Sequence, residues 1–364
     1  MKKKLWVTLP LIALGGTAFA QSSVTLFGTV DEAVTYIRGD DNWSGLQSGG
    51  NMDSFIGFRG TEDLGSGLKA QFWLESGIRA DSGSGESDGG LDFKRRATVG
   101  LLGNFGEIHL GRAETATYRT MKRFDVFNNA GIGGSQMFTD GFNTGDAATN
   151  ELAPLGYSKR KDNLVSYTSP RWGGFGFAAD YGFGESREKT LKRGAYGSLA
   201  LTYDQGPWSA ALAAEQQNNT SLPTLNSPFD YRQRAYTAGL GYDFERFKVT
   251  GAYRRSDIKP DGADSLSGDT YMIGIAAPVG AAGVIKASYN RYEHETFTQG
   301  DLKADQISLG YEHNLSKRTA LYGTYSYLKN KSRDGANLGL SLGNVQQDEK
   351  GKQHGIQLGV RHTF

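Results

Sequence analysis

The sequence predicts an all-β fold, an antiparallel transmembrane β-barrel. Three observations predict it. Apolar and polar residues alternate with a period of two along most of the chain, short turns alternate with long loops, and apolar residues are scarce. Hydrophobic residues make up 38% of the 364, against roughly 45–50% in ordinary globular chains. A single filled core of that size needs more. A barrel does not, because one strand face meets lipid and the other meets water.

The first element is a leader. Lys2, Lys3 and Lys4 precede the apolar stretch Leu5 to Leu14, and Ala18-Phe19-Ala20 supplies a small-x-small cleavage signal. Residues 1–20 are therefore expected to be a cleaved secretory signal peptide, with 21–364 forming the barrel. The apolar stretch is shorter than the roughly 20 residues of a spanning helix. Beyond Gln21 no stretch approaches 18 uncharged apolar residues, so any later span must be made of strands.

The strands follow in order. The first mature one sets Val24, Leu26, Gly28, Val30 and Val34 against Thr25, Phe27, Thr29, Asp31 and Thr35. In the third, Leu68, Ala70, Phe72 and Leu74 oppose Lys69, Gln71, Trp73 and Glu75. The last sets Ile356, Leu358, Val360, His362 and Phe364 against Gln357, Gly359, Arg361 and Thr363. Sixteen such segments are expected, at 23–37, 52–62, 67–79, 93–102, 106–113, 163–170, 174–184, 194–205, 207–218, 231–243, 246–257, 268–278, 283–296, 302–313, 319–331 and 353–364.

Short turns are expected at positions such as Asp63-Leu64-Gly65-Ser66, Gly103-Asn104-Phe105 and Gln205-Gly206. Long Gly/Ser/Asp/Asn-rich loops fall at 38–51, 80–92, 114–162, 219–230 and 332–352. A soluble sandwich would need a richer core, and no 20–50-residue repeat indicates a solenoid. Tyr36, Tyr181, Tyr203, Tyr242, Phe247 and Tyr311 recur at strand ends, where amphipathic rings favour a bilayer interface.

The chain has 51 Gly, 8 Pro and no Cys. Few prolines suit hydrogen-bonded strands, and an exported chain without cysteine must be stabilised by closure of its sheet or by oligomerisation. Without the leader's three lysines the formal charge of +1 becomes 37 basic against 39 acidic residues, which argues against a nucleic-acid partner.

Several motifs together carry a family resemblance. Ser23-Val24-Thr25-Leu26-Phe27-Gly28-Thr29-Val30-Asp31 and Gly57-Phe58-Arg59-Gly60-Thr61-Glu62-Asp63-Leu64-Gly65-Ser66-Gly67-Leu68-Lys69-Ala70 resemble the opening strands of the general porins of beta-proteobacteria and Neisseria. Val99-Gly100-Leu101, Leu110-Gly111-Arg112 and the ending Gly359-Val360-Arg361-His362-Thr363-Phe364 follow in the family's order. The resemblance implies a homotrimer of 16-stranded barrels in the bacterial outer membrane, with a third loop folded inward as a constriction. It also implies passive diffusion of ions and small hydrophilic solutes, no cofactor, and contact with outer-membrane lipid and lipopolysaccharide.

Residues 114–162 are the candidate third loop, and Phe124-Asp125-Val126-Phe127 resembles the family's Asp-aromatic landmark. Two positions depart from the pattern. Glu32 falls on the outward face of the first strand and is read as an interface residue, and Phe55 stands where the family often has a basic residue.

Parity then nominates the constriction. Arg59, Lys69, Lys94 and Arg96 fall on the inner wall, with Arg112 where the fifth strand enters the loop. Glu114, Asp125 and Asp140 are the candidate acids of the loop side, opposite this basic wall. Arg119, Lys122 and Arg123 share the loop and either contribute to the eyelet or pair with Asp125. Basic residues outnumber acidic ones on the wall, which predicts a weak anion preference.

Catalytic signals are weak. Gly339-Leu340-Ser341-Leu342-Gly343 matches the nucleophile-elbow pattern, but that chemistry needs a strand–turn–helix, and this segment lies in a Gly-rich loop. The five histidines are not paired at metal-ligand spacing. An outer-membrane barrel enzyme and an adhesive or structural barrel are the alternatives, and stepwise conductance in planar bilayers separates them from a channel.

Overall fold

The computed structural model describes residues 23–86, 90–135, 159–185, 194–219, 231–260, 264–295, 301–331, 337–343, 345 and 348–364. The expected leader and Asp140 lie outside these residues. The strands are β1 (Ser23–Arg38), β2 (Asn42–Ser48), β3 (Phe55–Gly65), β4 (Leu68–Arg79), β5 (Ser84–Gly85), β6 (Arg96–Gly103), β7 (Gly106–Glu114), β8 (Arg160–Thr168) and β9 (Phe175–Gly182). They continue as β10 (Tyr196–Gln205), β11 (Trp208–Asn219), β12 (Tyr231–Asp243), β13 (Lys248–Pro260), β14 (Leu266–Val279), β15 (Gly283–His294), β16 (Leu302–Asn314), β17 (Thr319–Lys331) and β18 (Lys352–Thr363). Among the described residues there is one α-helix, α1 (Ala116–Met121), which follows β7.

These segments form one closed antiparallel barrel of sixteen staves. The count is sixteen because β2 pairs with the upper half of β1 and β3 with its lower half, so the two make one interrupted stave. The two residues of β5 likewise prolong the β6 stave beside β4. The expectation of an unbroken loop over 38–51 is therefore corrected. The Gly/Ser-rich composition of β2 hides its pairing, while Leu46 opposes Val34 on the outward face.

Closure joins β1 to β18, from Thr29↔Thr363 to Arg38↔His354. Gly28 and Phe364 continue the seam with a reciprocal pair of backbone hydrogen bonds of 3.1 and 3.0 Å. A Cβ on Gly28 would meet the Phe364 ring at 2.7 Å, so glycine is what lets the terminal aromatic lie flat on the seam. Among the described residues no stave is left without a hydrogen-bonded neighbour on either side, as a strand in lipid requires.

The burial pattern is inverted relative to a soluble protein. Val24, Leu26, Val34, Ile356, Leu358 and Val360 are exposed on the outside, whereas Asp31, Thr35, Gln353 and Gln357 are buried inside. Aromatic rings gather at the short-turn rim: Trp208, Tyr242, Phe244 and Phe247 form a chain with centroids 4.5, 4.5 and 4.7 Å apart. Among the described residues no helix is long and apolar enough to cross a membrane.

Candidate pore constriction

The third loop enters the lumen directly after β7. Thr115 caps α1, its side chain accepting from the Tyr118 N–H at 3.3 Å, and the Ala116 N–H donates to Asp180 on the inner wall of β9. The helix then lies against small residues. Tyr118, Met121 and Phe124 pack on Ala200, Ala211, Ala213 and Ala252 of the inner wall. A Cβ on Gly239 would stand 2.4 Å from the Phe124 ring, and one on Gly310 would stand 2.7 Å from Phe127. Further on, Gln306 donates to the Ile132 and Gly134 carbonyls at 3.1 Å each. The described part of the loop thus lies along the wall from β9 to β18, across the lumen from the β3, β4 and β6 side.

The loop's charges serve this attachment. Arg123 donates to Asp204 at 2.7 and 2.8 Å, and Arg119 lies 3.4 Å from Asp180. Lys122 binds Glu114 at 2.6 Å. None of the three pairs with Asp125. That carboxylate is buried and accepts from the N–H groups of Phe127, Asn129 and Ser135 at 2.9, 3.2 and 2.8 Å. Burial pushes its pKa above the ordinary value, and the three N–H bonds oppose that shift. Its placement on the acidic side of the pore is therefore corrected: Asp125 folds the loop and does not face the opening.

The β3, β4 and β6 side carries a ladder of cations and rings. Arg59 lies 5.7 Å from the Phe27 centroid and 4.9 Å from that of Trp73, and Arg96 covers Trp73 at 4.0 Å. The Trp73 indole N–H donates to Glu75 at 2.7 Å, which fixes the ring between the two guanidinium groups. Alternation along β3, β4 and β6 suffices to aim all of these inward.

A second group gathers where no strand aims it. Asp53 lies 2.9 Å from Arg95, 3.1 Å from Lys159 and 3.9 Å from Arg160, and Arg160 is also 3.7 Å from Glu114. Lys122 and Lys159 both lie over the Tyr118 ring, at 5.3 and 5.5 Å. Burial would raise the Asp53 pKa, but Lys159, Arg95 and Arg160 outweigh it and hold the carboxyl well below the ordinary range.

Three expected wall residues stand apart. Lys69 is one residue into β4, beside a short turn, and six residues or about 20 Å along the strand from Glu75. Lys94 precedes β6; its side chain is half exposed and 3.6 Å from Asp92. Arg112 shares the outward face of Ile108 and Leu110 by plain alternation along β7, donating to Asp162 at 2.7 Å and to the Lys94 carbonyl. Glu114 does sit with the constriction cations, at the base of the loop and facing Lys122 and Arg160.

Asp53, Arg95, Lys159 and Arg160 were not nominated from the sequence. Asp53, Arg95 and Lys159 lie in irregular stretches, and Arg160 is the first residue of β8, where a period-two pattern carries no direction. Ser341 of the elbow-like motif sits in a packed loop: its hydroxyl donates to the Val345 carbonyl at 2.9 Å, and Leu340 and Leu342 on either side are buried. Among the described residues, no group of three or more His, Asp or Glu side chains is arranged to hold a metal ion.

Comparison with known proteins decides the family. Residues 8–333 match the family model described as Gram-negative porin. The chain belongs to the Gram-negative porins. It is 41% identical to outer membrane porin protein 32 of Delftia acidovorans, over 100% of both chains. It also superposes on an anion-selective porin from Comamonas acidovorans with a TM-score of 0.80 and 38% identity, covering 94% of this chain and 100% of that one. The trimer form of OmpT from Vibrio cholerae, at 15% identity and a TM-score of 0.70, covers 94% of this porin and 99% of OmpT and shares the fold. This porin is thus an outer-membrane barrel through which small hydrophilic solutes and ions diffuse passively.

Proposed function

We propose that this porin is a weakly anion-preferring, non-catalytic diffusion channel. The observation that carries the reading is the balance of charge around the constriction. Among the described residues, Arg59, Arg95, Arg96, Lys122, Lys159 and Arg160 are set against four acids, Asp53, Glu75, Glu86 and Glu114. Cations stand on both the wall and the loop, so an anion that sheds part of its hydration meets guanidinium and ammonium donors on either flank. The similarity to a porin whose name states anion selectivity supports the same direction.

Homotrimer formation belongs to this reading. Glu32 sits half-buried on the outward face of β1 between Val30 and Val34, where a carboxylate is costly against lipid and at home against a second subunit. The OmpT chain whose name gives a trimer form supports it. Removal of residues 1–20 on export and contact of the outer wall with lipopolysaccharide complete the proposal. The test is a planar bilayer with a salt gradient. Stepwise conductance with a reversal potential of the sign set by anion flux is expected, and a cation-signed potential would refute the preference.

A further inference from the structure

The stave shared by β2 and β3 breaks opposite Asp31. Ser48 is paired with Glu32 and Phe55 with Thr29, so the six residues 49–54 stand against only Val30 and Asp31. A pleated strand cannot absorb that surplus, and the segment leaves the wall for the lumen. Asp31 holds both of its ends. Its carbonyl accepts from the Gly49 N–H at 2.9 Å, and its own N–H donates to the Ser54 hydroxyl at 3.0 Å.

The Asp31 side chain holds the middle. It is fully buried on the inner face of β1, and its carboxylate accepts from the successive N–H groups of Gly50, Asn51 and Met52 at 3.2, 3.0 and 2.8 Å. Consecutive N–H groups curled round one anion form a backbone nest. A further donor, the Tyr322 hydroxyl, reaches the same carboxylate from β17. It passes over β18 at Gly359, where a Cβ would stand 2.4 Å from the Tyr322 ring.

The segment carries polar and charged groups into the lumen. Asn51 donates to Glu312 at 3.2 Å and accepts from Arg361, which ties the segment to the inner faces of β16 and β18. Asp53, two residues on, turns instead to Arg95, Lys159 and Arg160. The Gly50 carbonyl abuts the third loop, since a Cβ on Gly131 would stand 2.1 Å from it. The segment is thus wedged between wall and loop, and its position decides how near a carboxylate lies to the constriction cations.

We propose that residues 49–54 are a second constricting element and that Asp31 is a positioning residue for ion selectivity. Asp31 is buried away from passing ions and acts by keeping Asp53 among Arg95, Lys159 and Arg160. In place, Asp53 offsets part of their charge and moderates the preference for anions. With the nest opened, Asp53 withdraws and the cations meet the solute uncompensated. This role rests on the reading of the pore as a weakly anion-preferring channel, and it accounts for the weakness.

The test is the reversal potential across a planar bilayer at about 0.1 M salt. The sign for wild type reports on the channel's preference, and only the differences between variants report on the wedge. Asp53→Asn should raise the anion-to-cation permeability ratio about fourfold, the effect of one screened charge about 6 Å from the ion path. Asp31→Ala should raise it about twofold or more, since Asp53 is displaced and not removed. Gly50→Val should do the same without altering any charge, because the Tyr322 hydroxyl lies 2.3 Å from the position its Cβ would take. Neither should add to the ratio once Asp53→Asn is present. Stepwise conductance verifies the folded barrel in each case, and Gly50→Val decides alone if Asp31→Ala does not assemble. A wild-type ratio in Gly50→Val would overturn the proposal. So would an Asp31→Ala increment that persists in full beside Asp53→Asn, which would make the buried carboxylate act through its own charge.

Discussion

Replacing Arg59 and Arg96 together by alanine removes two cations from the wall across the pore from the loop while leaving the loop attached, because the loop is held by Asp180, Asp204 and the β12–β18 wall. For an ion passing about 6 Å from one guanidinium in water, the Coulomb energy is about 0.7 kcal/mol. Screening with a Debye length of about 10 Å at 0.1 M reduces it to about 0.4 kcal/mol. Two such charges favour an anion and disfavour a cation by about 0.8 kcal/mol each, so the anion-to-cation permeability ratio should fall roughly tenfold. At 1 M salt the Debye length is about 3 Å and most of that difference should vanish. The assay is the reversal potential across a planar bilayer, measured at both ionic strengths on wild type and the double variant. A ratio unchanged at low salt would refute the basic wall, and a change independent of salt would refute the electrostatic account of it.

Three further outcomes follow from the same geometry. Trp73→Ala should lower anion preference while Arg59 and Arg96 remain, since each stacked cation loses about 0.5–1 kcal/mol of ring contact and its fixed direction; Trp73→Phe should restore part of it in the same reversal-potential measurement. Phe124→Ala removes a buried ring whose loss typically costs about 3–5 kcal/mol, so the loop should lift from Gly239 and raise single-channel conductance; an unchanged conductance would count against the loop as the narrowest element. Asp53 has a depressed folded-state pKa, so its stabilising contribution is fully present above the unfolded value of about 3.9 and is lost progressively as pH falls from there through the much lower folded value. The gap in melting midpoint between wild type and Asp53→Asn, followed by circular dichroism, should be constant from pH 7 to 5 and close below pH 4.

What could be read from sequence follows from what strands can encode. Val24 to Thr35 and Ile356 to Phe364 announce their faces through alternation alone, and so do Arg59, Trp73 and Arg96 on the inner wall. The pattern fails where the backbone leaves the pleat. Arg95 is one residue before β6 and turns to Asp53, whereas Lys94 turns away; Arg112, by contrast, keeps the alternation of Ile108 and Leu110 and faces outward. Asp125 was legible as important but not as buried, because its partners are backbone N–H groups with no sequence signature. Asp53, Lys159 and Arg160 come together from positions more than a hundred residues apart, which only the closed barrel brings within ion-pair distance.

The row of glycines beneath the third loop has a bearing on how such channels diversify. Phe124 and Phe127 are each seated over a missing side chain at Gly239 and Gly310, so loop and wall fit as key and lock. Grafting a relative's third loop onto this barrel would require the matching vacancies to be carved in the recipient staves. Bore is then inherited through two distant stretches of the gene that must drift in step, rather than through loop length alone.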